Sequence, residues 1–249
     1  MGEHVDCVEA RTLLAILFPP ETTTAGKIRL QQPPSTYSSP WANHGPEWLP
    51  SDVDRLITAA ERQRVEHDVR FGVALYQTKA DRRRGWPSEV PALWVRSMAG
   101  DPTVNPLPDA PPSFVIASIA GREVAYGWLL DGTLDPAKAD DLVVALAGTL
   151  GPELEPVLSD GYVRLPDTVD HTNTFSVLVR LLDNNARHYS VAQFMELVAR
   201  RRAGDAIAMG GEQGEAAAEQ SATDSDIDID IDADGEPSAA HVAATGPGR

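Results

Sequence analysis

SFVIASIAGREVAYGWLLDG, residues 113–132, decides how the chain is read. Two runs rich in β-branched and aromatic residues flank Gly121-Arg122, the pattern of two antiparallel strands joined by a turn. Directly after them, DPAKADDLVVALAGTLG (135–151) is an amphipathic helix with Pro136 at its first position and Gly151 at its end. A hairpin feeding a helix predicts an α+β body.

The flanking sequence agrees. VRFGVALY (69–76) and PALWVRSM (91–98) read as strands, with TKADRRRGWPSEV (78–90) as a polar connection between them. Gly100 to Pro112 holds five prolines and is a loop. Further upstream, SDVDRLITAAERQRVEHD (51–68) predicts a helix capped by Ser51. A short helix over 6–18 ends at Pro19-Pro20, and a short strand over Lys27 to Gln31 follows. Residues 19–50 are otherwise irregular and carry Tyr37, Trp41 and Trp48. Downstream, YVRLPDT (162–168) is a strand entering a turn, and SVAQFMELVARRRAG (190–204) is a closing helix with Ser190 as N-cap. The expected organisation is one domain over 1–203, with an N-terminal helix and irregular extension (1–50), a core (51–203) and a tail (204–249).

Charge separates the tail from the body. Residues 204–249 contain eleven acidic residues and one arginine, and so contribute −10 of the net −16. Within the tail, SDIDIDIDADGE (225–236) places five aspartates on alternate residues from Asp226 to Asp234. On a docked strand such a pattern shares one face and can hold metal ions. Here the surrounding sequence lacks aromatics, as disordered segments do. The calcium-loop pattern from Asp230 through Asp232, Asp234 and Gly235 is interrupted by Pro237 and closes on His241 where the loop needs Glu. A solvated acidic tail is the expectation, able to mimic nucleic acid in a basic groove. Cys7 is the only cysteine, which excludes an internal disulfide or a cysteine-based zinc site. No apolar run approaches the ~20 residues that span a bilayer. Leu13 to Phe18 follows charged residues and does not make a secretory signal, so the cytoplasm is the expected compartment.

Five segments occur in an order that resembles the RepB-type primases, a branch of the archaeo-eukaryotic primase superfamily found in phages, plasmids and other mobile elements. They are FGVALYQTKADRRRG (71–85), PALWVRSMAG (91–100), PPSFVIASIAGREVAYGWLLDG (111–132), YVRLPDTVDHT (162–172) and ARHYSVAQFMELV (186–198). The resemblance implies a split-barrel or RRM-like mixed sheet with flanking helices. It also implies a site in which two strand carboxylates hold Mg²⁺ or Mn²⁺ for nucleotidyl transfer. The matching positions here are Arg96 and Met98, neither of which binds a hard cation. Glu123 falls where the family has a nucleotide-contacting histidine, and Ser118 and Gly121 align with its small residues. Asp160 matches the acid of the last motif. The family's RLPGT keeps Arg164, Leu165, Pro166 and Thr168, with Asp167 for the glycine, and the following Asn and Lys are Asp170 and Thr172. Scaffold positions match better than metal and triphosphate positions, which implies a degenerate primase domain.

Each candidate also has a plainer reading. Arg96 is a replacement phosphate contact or a strand-end arginine paired with Asp101 or Glu123. Glu123 and Asp160 are a relocated metal pair, or a turn carboxylate and a loop cap. Lys79, Arg82, Arg83, Arg84 and Trp86 form the best nucleic-acid candidate, with guanidinium groups for phosphate and an indole for stacking, or else a solvated connection. Ser118, Arg164 and His171 complete the nucleotide-binding candidates, His171 and His188 being equally readable as structural. Arg200 to Arg202 suit a helix C-terminus regardless of ligand. No metal set is assigned.

Three readings follow. The first is a catalytically impaired primase-like replication protein that binds nucleic acid or replication proteins, working with a separate helicase and needing no metal cofactor. The second is an active primase-polymerase using Mg²⁺ or Mn²⁺ on Glu123 and Asp160. The third is an acidic-tail regulatory protein on a reused primase scaffold.

Overall fold

A computed structural model describes residues 7–20, 26–31, 44–64, 67–78, 85–118, 123–171 and 177–203. The acidic tail and the basic residues Lys79, Arg82, Arg83 and Arg84 lie outside the described residues. The first helix, α1 (Val8–Leu17), buries Ala10, Leu13, Leu14 and Leu17, a stripe at helical spacing. Strands β1 (Ile28–Gln31) and β2 (His44–Trp48) pair antiparallel. Helix α2 (Val53–Gln63) follows, burying Leu56, Ile57 and Ala60. Ser51 does not cap it. Pro50–Asp52 forms a 3-10 turn closed by the Asp52 N–H on the Leu49 carbonyl (2.8 Å), so the helix starts at Val53.

The stretch VRFGVALY is two strands, where one was expected. β3 (Arg70–Gly72) joins β1 and β9 (Tyr162–Arg164) in a four-stranded sheet, order β2-β1-β3-β9. β4 (Leu75–Thr78) turns away to pair with β5 (Gly85–Ser97) in the larger sheet. The bend at Val73-Ala74 therefore passes the chain from one sheet to the other. Gly72 permits it, because a Cβ there would lie 2.7 Å from the Tyr76 ring. β5 is also longer than expected: WPSEV belongs to it, with Trp86 opposite Gln77 and Pro87 opposite Tyr76.

The expected hairpin is β6 (Phe114–Ser118) and β7 (Val124–Leu134), paired antiparallel, and its turn residues lie outside the described set. The large sheet runs β10-β11-β6-β7-β5-β4, with β10 (Val169–Asp170) and β11 (Val177–Asn184) at one edge. β8 (Leu154–Val157) pairs with β5, and β12 (His188–Tyr189) pairs with β7. Helix α3 (Pro136–Leu150) is capped by Asp135, whose carboxylate accepts the Ala137 N–H at 3.1 Å. The closing helix α4 (191–203) carries a capping box: Ser190 Oγ accepts from Gln193 N at 3.2 Å and Gln193 Oε1 from Ser190 N at 2.8 Å.

Alternation along β5 and β7 gives the large sheet two apolar faces. Ala92, Trp94, Ala125 and Leu129 pack with Phe71, Phe114 and helices α1 and α2. Leu93, Val95, Tyr126 and Trp128 pack with α3 and with Phe194 of α4. Trp94 lies 6.0 Å from Phe114, stacked, and 6.2 Å edge-on from Phe71, so one indole ties the two sheets together.

Cys7 is buried at the start of α1, with Sγ 3.8 Å from a Glu61 carboxylate oxygen. Burial, reinforced by the Glu61 charge, pushes the thiol up to about 11. The folded chain is accordingly expected to resist a thiol reagent at pH 8, and denaturant should restore full labelling of its one cysteine. Rapid labelling of the native chain would contradict the burial.

Candidate functional site

Strand pairing places two arginines side by side. In the β3–β9 ladder Arg70 is directly opposite Arg164. Like charges so placed repel unless something neutralises them. Glu123, immediately before β7, lies across both. Arg70 donates two parallel hydrogen bonds to its carboxylate, at 2.8 and 2.6 Å, and Arg164 Nε donates a third at 3.0 Å. Arg164 NH1 lies 3.1 Å from Asp68 Oδ2 and 2.9 Å from Asp170 Oδ1. Ser118 Oγ donates to the other Asp170 oxygen at 3.1 Å. Glu123, Arg164, Ser118 and Asp170 are all buried. Burial pushes the Glu123 carboxyl up, yet the Arg70 hydrogen bonds and the Arg70 and Arg164 charges outweigh it and hold it below the ordinary glutamate value.

The RLPDT turn is fastened to this network. His171 donates its backbone N–H to Asp68 at 2.6 Å, and its Nε2 lies 2.7 Å from the Arg64 carbonyl. Asp167 has φ of 60°, the left-handed region that a glycine fills without strain. Its side chain does what a glycine cannot: Oδ2 accepts the Glu9 and Ala10 N–H groups at 2.7 and 3.1 Å, capping α1. Burial is the largest influence on the Asp167 carboxyl and pushes it up; the capping bonds offset this only in part.

The other candidates are placed elsewhere. Arg96 Nε donates to Glu155 at 3.1 Å, its cross-strand neighbour on β8, and not to Asp101 or Glu123. Asp101 is occupied by Thr103 in its own turn. Met98 is exposed beyond the end of β5, and Trp86 is exposed near its start. Asp160 is exposed between β8 and β9 and acts on a second polar cluster. There buried Arg29 pairs with Glu47 and lies 3.8 Å from the Tyr76 ring centroid, while burial and the Asp160 charge push the Tyr162 hydroxyl up. Glu123 and Asp160 thus serve different clusters. His188 lies 3.6 Å from Asp131 on the surface.

Arg70, Asp68 and Asp170 escaped the sequence reading as site residues. A hint was available in Arg70 beginning the strand that carries the FGV signature, but its partner Arg164 is found only once β3 and β9 are paired.

No protein-family model and no curated protein matches the sequence. Solved structures do match in fold. One is the archaeo-eukaryotic primase domain of the cyanophage S-2L primase-polymerase, at a TM-score of 0.52 and 14% identity over 78% of this chain and 98% of that one. The chain has a primase-like fold. A second is primase RepB′, at 0.50 and 13% over 86% of this chain and 69% of that one. A third is the catalytic domain of RepB′ in complex with initiator DNA, at 0.50 and 13% over 82% and 98%. Helices flanking a mixed sheet, inferred above from the order of five motifs, are therefore the architecture of the described body.

Proposed function

We propose that the chain is a primase-like replication protein of a phage, plasmid or other mobile element that binds nucleic acid or replication proteins and does not synthesise primers. The Glu123 clamp carries this reading. A carboxylate that serves two-metal nucleotidyl transfer must offer its oxygens to the cations. Both Glu123 oxygens instead accept guanidinium N–H groups, and the positions that resemble the family's metal pair carry Arg96, bound to Glu155, and Met98. The proposal needs no metal cofactor and includes a helicase as a working partner.

Nucleic-acid binding is assigned to the β4–β5 connection. It supplies Lys79, Arg82, Arg83 and Arg84 by sequence, beside the exposed indole of Trp86 at the start of β5. RepB′ has been crystallised on initiator DNA, which favours nucleic acid as the ligand of this fold. Among the described residues no helix is long and apolar enough to cross a membrane, and the protein is proposed to act in the cytoplasm.

The test has two parts. Primer synthesis on poly-dT with Mn²⁺ and labelled nucleotides is expected to give no product. Robust product abolished by Glu123→Ala or Asp160→Ala would establish the active primase-polymerase reading in its place. In parallel, fluorescence anisotropy with labelled oligo-dT is expected to show binding that weakens about tenfold in Trp86→Ala, the worth of one stacked base. Unchanged affinity in that variant removes the β4–β5 connection as the binding surface.

A further inference from the structure

We infer that Arg70 and Arg164 form a phosphate seat held shut by the chain's own Glu123. The inference rests on the geometry of the clamp and goes beyond the proposed function. From opposite positions on adjacent strands, Arg70 presents two parallel N–H donors and Arg164 its Nε–H toward one carboxylate. Such a fork fits a carboxylate or a phosphate oxyanion equally well. Glu123 fills it from outside the ladder: three charge-assisted hydrogen bonds between 2.6 and 3.0 Å converge on its two oxygens. Arg164 also faces Asp68 and Asp170, whereas Arg70 has no ion-pair partner among the described residues except Glu123. Loss of the Glu123 charge therefore frees Arg70 completely while Arg164 stays anchored. Solvent reaches the cluster through Arg70, 17% exposed, and Asp68, 21% exposed, against 5% for Glu123. A ligand phosphate entering the wild-type seat must displace a buried carboxylate held by two arginines, so the contact is autoinhibitory.

The experiment compares thermal unfolding of the full chain in inorganic pyrophosphate and in chloride at equal ionic strength. The wild type is expected to show no difference. Glu123→Ala is expected to gain about 3–5 °C at pyrophosphate about ten times its Kd. The double variant Arg70→Ala/Glu123→Ala should lose that gain. Glu123→Gln, which keeps the shape and loses the charge, gives the same readout should the alanine variant fold poorly. An oligo-dT lacking terminal phosphates, run alongside, separates a diester backbone from free phosphate: the probe whose gain depends on Arg70 is the one the seat accepts. Equal gains in wild type and Glu123→Ala mean an adventitious ion only and overturn the inference. So does the absence of any gain in both Glu123 variants with both probes. Neither failure touches the proposed function, which is decided by primer synthesis and oligo-dT binding to the wild type.

Discussion

Replacing Arg164 by Met lowers stability by about 3–5 kcal/mol and the melting temperature by about 10 °C. The guanidinium is buried and meets Glu123, Asp68 and Asp170, so the substitution leaves carboxylates in a dry site without their counter-charge. Methionine keeps much of the volume, which confines the effect to charge. The double variant Arg164→Met/Asp170→Asn is expected to be more stable than the sum of its single changes predicts, because it removes one stranded anion together with the cation. Strict additivity would mean that the two groups do not act as a unit. The same network makes stability depend on pH through Glu123. Because the folded Glu123 carboxyl is held below its ordinary value, its contribution is complete above about pH 4.5 and fades as pH falls through the depressed folded value. Glu123→Gln should therefore be less stable than wild type near neutrality, with the difference shrinking in acid, as measured by urea titration at pH 7 and pH 3.

Trp94→Ala is expected to cost about 3–5 kcal/mol, the range of large aromatic deletions from a core. The indole is 1% exposed and packs against Phe114 of β6 and Phe71 of β3. Gly127 on β7 marks how close the fit is, since a Cβ there would approach the ring to 2.6 Å. Gly127→Ala should accordingly cost about 1–3 kcal/mol alone, and be neutral or stabilising in a Trp94→Ala background, where the added methyl enters the vacated space. A Gly127→Ala penalty of the same size in both backgrounds would mean that ring contact is not what selects glycine. Trp94→Phe is the mild control. The indole N–H has no hydrogen-bond partner among the described residues, so its removal leaves no acceptor stranded.

The sequence was legible where structure is decided locally. Asp135 with Pro136, and Ser190 with Gln193, mark helix starts through contacts two or three residues apart. The β6–β7 strands could be read because apolar runs flanked Gly121. Sheet membership was not legible. VRFGVALY looks continuous, and only its partners divide it, β3 going to β1 and β9 and β4 to β5. VLVRLLDN (177–184) does not alternate cleanly between apolar and polar residues, and its pairing with β6 is what makes it a strand. The site shows the same division. Arg164, Ser118 and Glu123 were noticed one by one, but what they do to each other depends on Arg70, supplied by a different strand. The expected pairing of Arg96 with Asp101 or Glu123 failed for the same reason, since Glu155 is its neighbour only through the β5–β8 ladder.

The left-handed aspartate of the RLPDT turn has a bearing on how the chain is made. Asp167 caps a helix whose first residues lie 158 positions earlier, and Glu9 of that helix reaches 172 positions ahead to the Leu181 N–H and binds Arg180. A ribosome adding about 5–20 residues per second needs about 10–30 s to deliver those anchors. Throughout that interval the apolar stripe of Leu13, Leu14 and Leu17 has emerged with neither anchor yet synthesised. Helix α1 is thus synthesised long before it is secured, and nascent chains halted before residue 167 should engage holding chaperones that the longer chain no longer needs.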